Sequence, residues 1–156
     1  MRKGFTLIEL LIYVGLMSIF IFVLTEIFLS VLDTQRESEA SSSALQDGTF
    51  ILSRLIYDVN RADAIVIPAN LGDQTSSLQL TIDGVNYTYR LNGYNLEFTN
   101  NQLNSFGSRV TNFSVRRIGN PNGKNSVKVA FTIESTIQQS GGFLEIRNFD
   151  TTVGLR

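Results

Sequence analysis

The chain has no cysteine, no histidine and no tryptophan among its 156 residues. Without cysteine, a domain lying outside the cytoplasm has to fold with no disulfide, and there is no thiol nucleophile. Losing histidine as well removes the commonest acid–base catalyst and the usual zinc ligands together. A nucleophilic serine would have no histidine partner, and no glycine-rich phosphate loop follows a strand. The chain is therefore not expected to be an enzyme, and no cofactor is expected. An excess of one charge is missing too. Thirteen Lys and Arg face fourteen Asp and Glu, which argues for neither a nucleic-acid binder nor a strongly acidic protein. The length leaves room for one membrane helix and one small domain.

What is present is concentrated at the start. Met1-Arg2-Lys3-Gly4 is a short basic leader, and Phe5-Thr6-Leu7-Ile8-Glu9 opens an apolar run that continues to Leu32. As a helix, residues 5–32 span about 40 Å at 1.5 Å per residue, more than a hydrocarbon core of about 30 Å. Glu9 inside such a run is costly, and an intramembrane carboxylate is a functional-site hypothesis by default. Glu26 lies roughly 32 Å along the axis from Phe5, which places it as a solvated carboxylate at the outer membrane edge. Arg2 and Lys3 precede the run, while Asp33, Glu37 and Glu39 follow it. The positive-inside tendency puts the leader in the cytoplasm and everything after Leu32 outside. A secretory signal peptide has a shorter apolar region of about 7–15 residues and a small-residue cleavage site. A plain signal anchor fits the length, but gives no reason for glycine directly before Phe5.

Beyond Leu32 the sequence is polar through Ala44, with no proline to break a continuing helix. Helical spacing returns with Leu45, Leu52, Leu55, Ile56, Val59 and Ala62, a stripe expected to pack on the chain's own sheet. Asp58 follows Arg54 by four residues, a pairing distance on a solvated helix side. Gly48 weakens this segment by about 1 kcal/mol relative to alanine. After Arg61 the period changes to two. Leu78, Leu80 and Ile82 alternate with polar residues, then Val85, Tyr87, Tyr89 and Leu91. Asn92-Gly93 signals a hairpin, with Tyr94, Leu96 and Phe98 returning. Phe113 and Val115 mark another strand, residues 120–125 a turn cluster, and Val127, Val129, Phe131 and Ile133 a further strand. Residues 138–142 read as a loop, and 143–155 as a last strand with a parity slip near Asn148, as at a bulge. The expected fold is α+β: a long N-terminal helix, transmembrane in its first half, packed on an antiparallel sheet. Its expected divisions are a leader at 1–4, a membrane segment at 5–32, an outer helical half at 33–63 and a β domain at 64–156.

The arrangement Lys3-Gly4-Phe5-Thr6-Leu7-Ile8-Glu9 resembles the processing site of type IV prepilins and pseudopilins. The resemblance implies cleavage after Gly4 by a membrane prepilin peptidase, methylation of the new N-terminal Phe5, and use of Glu9 in filament assembly. The layout of helix and sheet is also the pilin layout. Residues 52–65 and the ending Phe149 to Arg156 are similar, more loosely, to the J-type minor pseudopilin of type II secretion and to related minor pilins. Glu9 argues against the K-type tip pseudopilin, which typically lacks it. The absence of cysteine separates the chain from major pilins that staple a C-terminal loop. Many of those carry proline where this chain has Glu26. Implied partners are the peptidase, major and other minor pilins or pseudopilins, an assembly platform protein and membrane lipid. The implied place is the inner membrane, crossed once. The alternative is a signal-anchored extracytoplasmic binding domain that never assembles. Calcium, held by some pseudopilins, needs several converging oxygens. Asp73 and Asp83 are isolated, so turn chemistry explains them better, and no metal site is expected. Arg109, Arg116, Arg117, Lys124 and Lys128 could line a DNA patch beside Phe106 and Phe113. Their strand-like spacing and the neutral balance argue against nucleic acid as a partner.

Overall fold

The computed structural model describes residues 6–119, 124–139 and 141–156. One helix, α1 (Leu7–Arg61), runs unbroken for 55 residues. It starts two residues later than the apolar run suggests, because Thr6 takes an extended conformation as its N-cap. The polar stretch after Leu32 stays helical throughout. Among the described residues nine strands follow: β1 (Ala64–Ile67), β2 (Gln74–Thr75), β3 (Ser77–Ile82), β4 (Val85–Asn92), β5 (Asn95–Phe98), β6 (Asn101–Gln102), β7 (Ser108–Ile118), β8 (Ser126–Gln138) and β9 (Leu144–Gly154). The fold is α+β and pilin-like, a long helix laid on antiparallel strands.

The strands form two sheets where one was expected. One has the order β1-β3-β4-β5-β6 and the other β2-β7-β8-β9. β2 visits the second sheet between β1 and β3, and the chain passes to it again after β6, where Asn104 holds the crossing. Its buried amide oxygen accepts from Leu96 N at 3.0 Å, while its amide nitrogen donates to Ser108 O at 2.9 Å. One side chain thus satisfies backbone groups that a continuous ladder would have paired. Within the first sheet, Asp83-Gly84 links β3 to β4 with φ of 51° and 76°. These are the left-handed values of a type I′ hairpin turn. The Asn92-Gly93 signal also holds, with Asn92 paired to Asn95 across the turn.

Leu55, Val59 and Ala62 of the expected stripe are buried, but the buried face of α1 also includes small residues outside that stripe. Ala40, Ala44, Gly48, Ile51, Leu55, Asp58 and Val59 are buried, spaced to fall on one face. Leu45 is 46% exposed, and Leu52 and Ile56 are only partly covered. Small residues carry the contact because they let the second sheet approach the helix axis. Gly48 is the clearest case, since a Cβ there would overlap the Phe149 ring. Its helix-weakening effect is secondary to that packing role. Gly48→Ala would gain about 1 kcal/mol of helix propensity against overpacking of about 1–3 kcal/mol. A net loss of stability is expected, read as a lower denaturation midpoint. Around this face Ile51, Leu55 and Val59 join Leu78, Leu80, Tyr89, Phe113, Val129 and Phe131 in one core.

The parity slip expected near Asn148 is not there. Asn148 pairs in register with Thr132, and the shift falls between Glu134 and Gln138, opposite Ile146 and Leu144. The sequence suggested a slip because Ile146 is apolar yet points outward, 60% exposed. The inward parity of β9 is set instead by Phe149 and Val153.

Candidate functional site

The start of α1 is a capping box. Glu9 N donates to Thr6 Oγ1 at 3.4 Å. In return Glu9 Oε2 accepts from Thr6 N at 3.2 Å and from Thr6 Oγ1 at 3.0 Å. First-turn N–H groups have no partner within the helix, and this reciprocal pair satisfies two donors at once. The carboxylate also lies at the positive end of the helix dipole, a placement typically worth 0.3–1 kcal/mol. The cost of an acid in an apolar run is thus partly offset by its own helix. Thr6 was not singled out from sequence, although Thr-x-x-Glu before an apolar run is the signature of this cap. Gly4 and Phe5, expected at the processing site, lie outside the described residues.

From Leu7 to Val31 the large apolar side chains of α1 are exposed. Among the described residues, α1 is the one helix long and apolar enough to cross a membrane. Two hydroxyls within this half are closed off. Ser18 donates to Val14 O at 2.8 Å and Thr25 to Ile21 O at 2.9 Å, so neither presents an unpaired donor to lipid. An exposed apolar surface of this length marks a site of membrane or protein contact.

The outer half of α1 is tied to the sheets by two acids. Asp47 Oδ2 accepts from Ser105 N at 2.8 Å, Ser105 Oγ at 2.7 Å and Ser108 Oγ at 2.5 Å, which fixes the crossing between sheets. Asp58 was expected on a solvated side but is 1% exposed. It is buried because Tyr89 comes up from β4 to donate to Asp58 Oδ2 at 2.5 Å, while Arg54 pairs with it at 2.9 Å as its spacing suggested. Burial, and then the bond to Asp58, push the Tyr89 hydroxyl well above the usual tyrosine range. The folded state therefore favours neutral Tyr89. Its contribution is fully present below the ordinary tyrosine pKa of about 10 and is lost as pH rises beyond it. Denaturation midpoints should fall above about pH 10. Tyr89→Phe should start lower at neutral pH and fall less steeply.

The remaining candidates are used structurally. Asp73 accepts from Asn70 N at 3.1 Å and Asp83 occupies its hairpin turn. Among the described residues no group of three or more acids gathers to hold a metal ion. Arg117 donates to the carbonyls of Ile65, Pro68 and Ala69. Arg109 lies over the Tyr94 ring, and Lys128 is 3.9 Å from Asp150.

No curated protein and no solved structure shows significant similarity to this chain. A family match falls on the region that the capping box opens. Residues 1–25 match the family model of the prokaryotic N-terminal methylation motif, which indicates type IV pilin-like proteins processed by prepilin peptidase.

Proposed function

We propose that this chain is a minor pilin or pseudopilin, cut after Gly4, methylated on Phe5 and built into a thin filament. The observation that carries the reading is the methylation motif at residues 1–25, on a helix whose apolar half is uncovered by the rest of the chain. A helix bare on all sides needs lipid or other helices around it. A filament of such subunits would supply the second after the membrane has supplied the first. In this reading residues 1–4 are the leader, 5–32 cross the inner membrane with the leader cytoplasmic, and 33–63 with 64–156 stand outside. The partners are the prepilin peptidase, other pilins or pseudopilins and an assembly platform protein. The looser likeness of residues 52–65 to J-type minor pseudopilins supports a place at the filament tip or in initiation.

The test is the intact mass of protein taken from its native host. The expected species begins at Phe5 and carries one added methyl group. Glycine leaves the scissile backbone free of a side chain, so Gly4→Leu should hold the precursor uncut in the membrane. A mature form retaining residues 1–4, or one cut beyond Leu32, would sink the proposal in favour of a signal anchor or a cleaved secretory domain.

A further inference from the structure

The β8–β9 turn lies at the end of the outer domain that faces the apolar half of α1. Two contacts fix that direction. Arg147 Nη2 donates to Ser41 Oγ at 2.9 Å, and Phe149, two residues on, packs against Gly48. β9 therefore ascends α1 from its beginning, which places Phe143, just before β9, at the lower end of the strand. From Arg147 at Ser41, four strand residues of about 13 Å in all bring Phe143 near the level of Leu32, and from Phe149 at Gly48, six strand residues of about 20 Å in all bring it near residue 35.

Gln138, Gln139, Gly142 and Phe143 are tied to one another by hydrogen bonds. Gln139 N donates to Phe143 O at 3.0 Å, and Gly142 N to Gln139 O at 2.9 Å. Gln138 Nε2 closes onto Gly142 O at 2.9 Å, and Gly142 takes φ of 78°, a conformation suited to glycine. Phe143 is nonetheless 76% exposed. Glu145, two residues on, is engaged by Gln139 and Arg147. An exposed aromatic at the level where an adjoining apolar helix ends suits the boundary between headgroups and acyl chains.

We propose that the β8–β9 turn rests on the outer lipid surface, with Phe143 seated at the headgroup boundary while the subunit awaits assembly. This second contact, beside the helix itself, fixes the tilt of the outer domain over the membrane. The proposal rests on the membrane reading given above. Phe106 supplies an internal control. It is 95% exposed on a turn that Thr136 bonds, but the adjoining Gly107 accepts from Ser43, eleven helix residues above Leu32.

Because the chain has no tryptophan, single replacements report one place each. Full-length Phe143→Trp, Phe106→Trp and Phe20→Trp are reconstituted in phosphatidylcholine vesicles whose acyl chains carry bromine at a shallow or a deep position. Phe143→Trp should lose several-fold more emission to shallow bromine than Phe106→Trp, while Phe20→Trp should respond to deep bromine. If Phe20→Trp is quenched and Phe143→Trp no more than Phe106→Trp, the turn stands clear of lipid and the proposal is overturned. Emission from Phe143→Trp that is blue-shifted but insensitive to bromine would assign the turn to a protein neighbour and overturn it equally. If Phe20→Trp is not quenched either, the membrane reading itself fails and the proposal falls with it.

Discussion

Leu55→Ala should lower the stability of the outer domain by about 2–5 kcal/mol, the range for truncating a buried leucine. Leu55 is fully buried where α1 meets the sheets, and Gly48 and Ile51 on the same face hold the helix against them. Partial collapse of the site is limited by those fixed neighbours, which favours the upper part of the range. Domains commonly have only about 5–15 kcal/mol in hand, so the loss is a large share. Denaturant unfolding of the detergent-solubilised chain, followed by its tyrosine signal, measures it. Leu45→Ala is the comparison. Leu45 is 46% exposed, and surface replacements usually stay within about 0.5 kcal/mol. Equal losses at the two positions would mean that the stripe from Ala40 to Val59 does not face the sheets.

Glu9→Gln should leave membrane insertion and cleavage largely intact while sharply reducing incorporation into filaments. Glutamine serves at the third position of a capping box as glutamate does, so the bonds to Thr6 can persist and only the charge is removed. A carboxylate in a low-dielectric setting attracts a nearby cation more strongly than in water. In the proposed mature chain the amine of Phe5 is cationic, and methylation leaves it so. The resemblance to pilins implies that Glu9 meets that amine on a neighbouring subunit, matching charge and axial register. Both bonds to Thr6 use Oε2, and a carboxylate can accept on its other oxygen as well. Glu9→Ala loses cap and charge together and should be the more impaired in helix content near the N-terminus. The measurement is recovery of each variant in sheared filaments, with a cleavage assay on the same cells. Normal recovery of Glu9→Gln would reduce Glu9 to a helix cap.

Much of this was legible in the residues, for physical reasons that can be named. An apolar run of this length reads one way whatever surrounds it. The strict alternation in β3 and β8 showed because each strand has one face in the core. The Arg54–Asp58 pairing was visible in its spacing, but the burial of Asp58 depended on Tyr89, thirty-one residues away. Leu55, Val59 and Ala62 of the helix stripe were legible as large or periodic apolar positions, whereas Ala40, Ala44 and Gly48, which extend the buried face, were not. Only Phe149, a hundred residues later, reveals why smallness was needed. The Asp83-Gly84 turn and the Thr6–Glu9 cap carried local signals that could have been read. The division into two sheets could not, since it turns on Asn104 satisfying a junction between distant segments.

The unbroken run of α1 has a mechanical consequence. Its 55 residues make a rod about 82 Å long, with no proline along it to supply a hinge. Its one glycine in the outer half is wedged against Phe149, and Asp47 and Asp58 rivet that half to both the inter-sheet crossing and β4. A push of one helical pitch on the bare end, about 5.4 Å, therefore has no joint in which to be absorbed. It would arrive at the sheets as the same displacement.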